Sequence, residues 1–146
     1  MMPRRGVAIH INAFNFPSWG LWEKAAVSLL AGVPVLAKPA SSTALLAHAM
    51  VKDVIAAKVL PDGALSLLCG GAGDLLDALG SDDVIAFTGS ADTARSVRGH
   101  ANVVARSVPV NIEADSINAA LLAPGSSAGS VAFDAFTISL MGSAIK

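Results

Sequence analysis

Short apolar runs and amphipathic stretches alternate along this 146-residue chain, which predicts strands and helices in succession. Apolar runs at residues 7–11 and 33–37 are too short for helices, and each leads into a polar turn. Between them lies a helical pattern, with Ser18 as the predicted N-cap and Gly32 as the predicted left-handed stop. Strand, helix and strand in this order form one crossover unit of a parallel sheet.

The predicted first helix carries an apolar face, which we expect to pack against the sheet. Polar residues dominate the turns that follow the two strands, where open α/β sheets bind their ligands. These turns offer an amide in Asn15 and a cation in Lys38. The apolar face of the predicted helix consists of residues at helical spacing, namely Trp19, Trp22, Ala26, Leu29 and Leu30.

The rest of the chain continues the alternation, without an internal repeat or a dividing linker. It therefore predicts an α/β fold: a Rossmann-like, mostly parallel sheet flanked by helices. A loop rich in Gly, Ser and Ala occupies residues 124–131. Further strands are predicted at residues 64–68, 84–87, 103–105, 108–112 and 117–122, and helices at about 43–58 (with Ser41, Ser42 and Thr43 as cap candidates), from after Gly73 to Leu79, from Ser90 to Arg98 and over the last fifteen residues.

Composition adds one expectation about the surface. Apolar residues make up 53% of the chain and charged residues 14%, against about a quarter charged in a soluble domain. No apolar run reaches the roughly 18 to 20 residues that span a bilayer, so no membrane partner is predicted. The excess favours apolar surface covered by another domain or subunit, although an alanine-rich composition alone would give the same figures.

Charge, histidine and cysteine content exclude several classes of protein. The net charge of −1 and the dispersed basic residues give no stripe for nucleic acid. The three histidines lack metal-ligand spacing, so no metal site is predicted. A single cysteine, Cys69, forms no internal disulfide, and no export signal opens the chain, so a reducing cytoplasm is expected.

Four further sites in the sequence carry candidate chemistry, each with a simpler alternative. Gly71 and Gly73 follow a strand and could admit a phosphate, but Leu76 stands where the full fingerprint needs glycine, and a plain turn explains them equally well. Ser90 could hold a pyrophosphate or only cap a helix. Glu113, at a strand end, could be a general base or a solvated acid. Cys69 lacks a basic neighbour in sequence, which favours a non-catalytic thiol.

Four motifs, taken in order, resemble the aldehyde dehydrogenase superfamily. Residues 14–17 (Phe-Asn-Phe-Pro) resemble its Trp-Asn-Phe-Pro motif, and residues 31–40 resemble its Ala-Gly-Asn-x-Val-Val-x-Lys-Pro-Ala segment. Residues 60–63 match the turn before the third strand, and residues 87–90 match Phe-Thr-Gly-Ser outright. The order and separations agree over about residues 7–122.

Two segments resemble a narrower group. Residues 10–17 and 111–116 are similar to the ring-opening aldehyde dehydrogenases of phenylacetate degradation, which often carry an oxepin-CoA hydrolase domain as well. This resemblance implies NAD(P)-dependent oxidation of a CoA-linked semialdehyde, a small-molecule substrate, to its acid. It also implies a homo-oligomeric parent enzyme.

The resemblance implies a role for each matching residue. Asn15 matches the amide that stabilises the oxyanion, and Glu113 matches the base that activates water for thioester hydrolysis. Lys38 matches the lysine that binds the adenosine ribose. Ser41 stands where NAD-preferring members often have glutamate, so NADP is expected as the cofactor, with NAD as the alternative. The residues implied to face the pyrophosphate are Gly71, Gly73 and Ser90.

One departure from the family concerns the nucleophile. The family cysteine follows the glutamate in a Gly-Gln-x-Cys context, whereas this chain has no cysteine after Cys69, which aligns with a variable position. We therefore expect an NAD(P)-binding domain over residues 1–123 and a divergent tail over residues 124–146, with the catalytic domain absent and the chain inactive alone. The alternative is a non-catalytic nucleotide-binding or interaction module.

Overall fold

Five parallel strands form a single sheet in the order β3-β2-β1-β4-β5. The computed structural model describes residues 5–115 and 120–144, with side chains up to residue 141. The predicted Rossmann-like parallel sheet is confirmed. The strands are β1 (Ala8–Ile11), β2 (Val35–Lys38), β3 (Leu65–Leu67), β4 (Val84–Gly89) and β5 (Val110–Ala114).

Helices cover both faces of the sheet and bury a separate apolar cluster on each. On one face, Leu21 and Ala25 pack against Ala8 and Val35. On the other, Val97 and Val103 belong to the cluster around Ile9, Ile85 and Phe87. The helices are α1 (Pro17–Leu30), a 3-10 turn (Ser41–Thr43), α2 (Ala44–Ala56), α3 (Ala91–Arg98) and α4 (Ala101–Ala105).

The chain divides into two units, Met1–Asp115 and Ser116–Lys146. The sheet lies in the first unit. In the described part of the second, helix α5 (Val131–Ala144) agrees with the helix predicted near the end of the chain. No helix in the described ranges has the length and apolarity needed to cross a membrane.

The ends of α1 show why this segment is helical. Pro17 stands at the first helical position, where its fixed φ is compatible with the helix and its missing N–H costs nothing. Phe16 is the N-cap residue, with a left-handed φ of 51°, so the prediction that Ser18 caps the helix is wrong. Gly32, at φ 75°, provides the predicted stop, and the Val33 N–H donates to the Ser28 carbonyl at 2.9 Å.

The predicted packing face of α1 is right in part, because Trp22 and Leu29 pack against the core cluster, but its other members do not. Trp19 and Leu30 are 70% and 82% exposed, whereas Leu21 and Ala25 are buried. The face toward the sheet also carries two polar residues, Lys24 and Ser28, which pair with side chains of the strands. A search for apolar spacing finds only part of this face, because Lys24 and Ser28 on it are polar.

Three other predicted elements differ in the structure. Residues 103–105 lie in helix α4 rather than in a strand. The helix predicted after Gly73 is instead a run of turns in which the Leu75 N–H donates to the Ala72 carbonyl. Asn102 Nδ2 lies 2.8–3.1 Å from three carbonyls of that segment, which a helix would have used for its own ladder. Of the strand predicted at 117–122, residues 117–119 lie outside the described residues and 120–122 form no strand.

Candidate functional site

The carboxyl ends of all five strands meet at one edge of the sheet. Strand order reverses between β1 and β4, which is the position of ligand crevices in open α/β sheets. Asn15 lies in the turn after β1, Lys38 ends β2, and Glu113 is the penultimate residue of β5. The structure therefore brings these predicted site residues to the same edge.

Glu113 is held by two side chains that sequence reasoning missed. Its Oε2 accepts a hydrogen bond from Thr88 Oγ1 at 3.0 Å and pairs with Lys24 Nζ at 3.3 Å. The Lys24 side chain is only 9% exposed, whereas that of Glu113 is 52% exposed. A buried ammonium requires a nearby anion, so Lys24 directs the carboxylate toward α1. The sequence offered no signal for this pairing, because Lys24 and Glu113 are 89 residues apart.

His10 of β1 contacts α1, the helix that also carries Lys24. It is 2% exposed, and its Nε2 lies 3.1 Å from Ser28 Oγ on α1. Burial, and then the charge of Lys24, lower the pKa of His10 to about 4, so the ring is neutral at pH 7. We call His10, Lys24, Ser28, Thr88 and Glu113 the polar layer; it lies between α1 and the sheet.

Asn15 is exposed beside an apolar groove. The groove has a volume of about 740 Å³. Its aromatic walls leave room for an apolar group, and Asn15 directly precedes Phe16, one of the lining residues. The groove is lined by Phe16, Pro17, Ser18, Trp19, Trp22, Glu23 and Leu46.

The end of β2 offers a cation and a hydroxyl. Lys38 is partly buried, and its Nζ donates to the Pro39 carbonyl at 3.3 Å. Ser41 is exposed at the start of the 3-10 turn. Residues 39–43 contain no acidic side chain, so nothing in this turn repels a phosphate.

The two glycine positions lie in an exposed loop. Gly73 has a positive φ of 52°, and a Cβ added at Gly71 or Gly73 would meet nothing within 4 Å. The loop therefore leaves its backbone open to a ligand. Because no helix follows Gly73, the predicted helix N-terminus is missing from this turn, and only its backbone amides remain available.

Ser90 caps helix α3, as one of its two interpretations predicted. Its Oγ accepts from the Thr93 N–H at 3.3 Å. The start of α3 also contacts a carboxylate, because Asp115 Oδ1 accepts from the Ala91 N–H at 3.0 Å. Sequence reasoning missed Asp115, which occupies part of the position expected for a pyrophosphate.

The described part of this edge offers no metal-binding group, and its cysteine forms no disulfide. The described residues contain no group of three or more His, Cys, Asp or Glu side chains arranged to hold a metal ion. Cys69 is a free, exposed thiol.

The fold and its polar edge define a Rossmann-type α/β domain. Residues 2–133 match the model of the aldehyde dehydrogenase family, and the chain belongs to that family. It is 63% identical over 134 residues to the 3,4-dehydroadipyl-CoA semialdehyde dehydrogenase of Aromatoleum evansii. The match covers 92% of this chain and 26% of that enzyme, so the chain spans about a quarter of the relative's length.

Solved structures of the family show the same fold. The succinic semialdehyde dehydrogenase of Streptococcus pyogenes, in complex with NADP+, matches 77% of this chain and 24% of its own, with a TM-score of 0.68 and 19% identity. The betaine aldehyde dehydrogenase of Staphylococcus aureus (Y450L variant), in complex with NAD+, matches 75% of this chain and 22% of its own, with a TM-score of 0.64 and 23% identity.

Proposed function

We propose that this chain is the cofactor-binding part of an NADP-dependent aldehyde dehydrogenase that oxidises a CoA-linked semialdehyde to its acid in aromatic catabolism. The observation that supports this most directly is the convergence of Asn15, Lys38 and Glu113 at the carboxyl edge of the sheet. The proposed substrate class follows from the 63% identity to the semialdehyde dehydrogenase of Aromatoleum evansii.

The end of β2 supports the proposed cofactor. Lys38 would bind the adenosine ribose, and Ser41 would accommodate a 2′-phosphate. In NAD-binding sites of this fold type, an acidic residue holds the ribose 2′-hydroxyl, and residues 39–43 contain none. We therefore propose NADP as the preferred cofactor and NAD as the weaker one. The exposed backbone at Gly71 and Gly73, and Ser90 at the start of α3, would face the pyrophosphate.

Two residues of this chain have proposed catalytic roles. Asn15 donates its amide proton to the oxyanion that forms when the aldehyde carbonyl is attacked, with the substrate body in the neighbouring groove. Glu113 accepts a proton from the water that releases the acyl group, and Thr88 and Lys24 hold its carboxylate in place. When bound, the nicotinamide supplies the hydride acceptor.

This polypeptide alone is proposed to be inactive. The reaction needs a thiolate nucleophile, and the sequence has no cysteine after Cys69, which lies in the loop after β3. We propose residues 1–123 as the nucleotide-binding domain and residues 124–146 as a tail. A homo-oligomeric parent enzyme and a cytoplasmic location belong to the same proposal.

Calorimetric titration of the purified chain with NADP and NAD tests the proposal. We expect saturable binding that is tighter for NADP and that weakens at least tenfold in Lys38→Ala. Lys52→Ala, which removes an exposed lysine of α2, is the matched control and should bind normally. Absence of binding to either nucleotide would instead support an interaction module, for which the exposed Phe16 and Trp19 provide an apolar surface.

A further inference from the structure

A buried amide without a partner lies next to the polar layer. Asn12 directly follows β1 and is only 7% exposed. Within the described ranges, neither its Nδ2 nor its Oδ1 has a hydrogen-bond partner. Burying such a group without a partner destabilises the fold, whereas a leucine of similar size would avoid that cost.

The register of the sheet places Asn12 beside Thr88. Strands β1 and β4 pair Ile11 with Phe87, and one further step brings Asn12 opposite Thr88. In the next pair of strands, Thr88 is opposite Glu113. Asn12, Thr88 and Glu113 therefore form one row across β1, β4 and β5.

This row lies on the face of the sheet that α1 covers. Side chains two residues apart on a strand point to the same face, and His10, two residues before Asn12, contacts Ser28 of α1. Lys24 of α1 reaches the other end of the row at Glu113. Asn12 thus extends the polar layer by one residue.

The hydroxyl of Thr88 connects the two ends of the row. It donates its single proton to Glu113 Oε2 at 3.0 Å, which leaves its oxygen free to accept. Neighbouring strands lie about 4.8 Å apart, so rotation of the Asn12 side chain is sufficient for its Nδ2 to reach that oxygen.

We propose that Asn12 is a positioning residue for Glu113: its Nδ2 donates to the Thr88 hydroxyl oxygen and so keeps the hydroxyl proton directed at the Glu113 carboxylate. Successive hydrogen bonds of this kind strengthen one another in a buried environment. The proposal rests on the role of Glu113 proposed above, and it explains why a buried amide follows β1.

The chain allows a direct spectroscopic test, because Glu23 and Glu113 are its only glutamates. Labelling glutamate with 13C at the carboxyl carbon gives two NMR signals, which Glu113→Gln assigns. Glu23 is the internal control, since its carboxylate accepts from the Trp19 indole at 2.6 Å on the exposed side of α1. The variants are Asn12→Leu, Thr88→Val and the double substitution.

We expect each single substitution to move the Glu113 signal at pH 7 and to leave the Glu23 signal in place. The double variant should move the Glu113 signal no further than Thr88→Val alone, because both changes interrupt one chain of hydrogen bonds. Asn12→Ala, which removes the same amide, is measured in the same way if the leucine variant does not fold.

A Glu113 signal that stays in place without the Asn12 amide, yet moves in Thr88→Val, overturns the proposal. So does a double variant in which the two shifts add. The measurement needs neither cofactor nor aldehyde, so a failure here leaves the NADP titration unaffected. Conversely, a chain that binds no nucleotide can still show the coupling between Asn12 and Glu113.

Discussion

Lys24 and Glu113, 89 residues apart in the chain, form an ion pair of 3.3 Å between α1 and β5. The lysine side chain is largely buried and the glutamate side chain is half exposed. The pair therefore fixes a carboxylate at the ligand-binding edge of the sheet, and both of its contacts, with Lys24 and Thr88, are made by Oε2. It connects α1 to β5 at the point where we propose the base to act.

Replacing Lys24 by methionine should change the free energy of unfolding by no more than about 1 kcal/mol. Methionine fills similar space, and losing the Coulombic attraction is offset by no longer burying an ammonium group. Urea denaturation at low and high salt measures the free energy of unfolding. We expect it to depend less on salt in the variant than in the wild type. A loss of several kcal/mol would show instead that the pair is a main support of the fold. Lys52→Met on α2 serves as the control.

His10 predicts a pH dependence of stability. Its pKa is about 4 in the folded state, against 6.5 for an ordinary histidine, so the unfolded chain binds the proton more readily. The contribution of neutral His10 is complete above pH 6.5 and is lost as the pH falls toward 4, by up to about 3 kcal/mol. Urea denaturation between pH 7 and 4 should show a shallower decline in His10→Leu than in the wild type. Parallel curves would contradict this prediction.

We expect the Asp115 carboxylate to compete with a bound pyrophosphate for the start of α3. This carboxylate accepts from the Ala91 N–H, and negative charge near a helix N-terminus stabilises the helix by about 0.3–1 kcal/mol. Asp115→Asn should therefore lower stability slightly and tighten NADP binding several-fold, because the proposed pyrophosphate would no longer meet a like charge. Asp92→Asn, in the first turn of the same helix, is the control for charge alone. Equal effects of the two substitutions on the dissociation constant would argue against a pyrophosphate beside Ala91.

We expect Ser41 to determine the preference for NADP over NAD. A glutamate at this exposed position would repel a 2′-phosphate and accept a hydrogen bond from a ribose 2′-hydroxyl. Ser41→Glu should raise the dissociation constant of NADP at least tenfold and lower that of NAD. Titration of both nucleotides measures the ratio, and Ser42→Glu is the neighbouring control. An unchanged ratio would place the 2′ position away from Ser41.

Much of the fold follows from local sequence, because short apolar strands and flanking turns are set by nearby residues. For example, the apolar residues 84–87 predicted a strand that lies within β4, and Gly32 predicted the end of α1. The helix predicted after Gly73 failed because Asn102, distant in sequence, bonds the carbonyls of that segment. The strand predicted at 103–105 failed because a short apolar run of this kind does not distinguish strand from helix.

The sequence by itself determined the class of fold, the family and which residues carry candidate chemistry, because motifs and periodicity are local properties of the chain. Only the tertiary structure decided what those residues meet. The sequence assigned no role to Lys24 and indicated only that His10 lacks metal-ligand spacing, yet both lie in the polar layer under α1. Their partners come from other elements, and only the register and packing of the sheet bring them together.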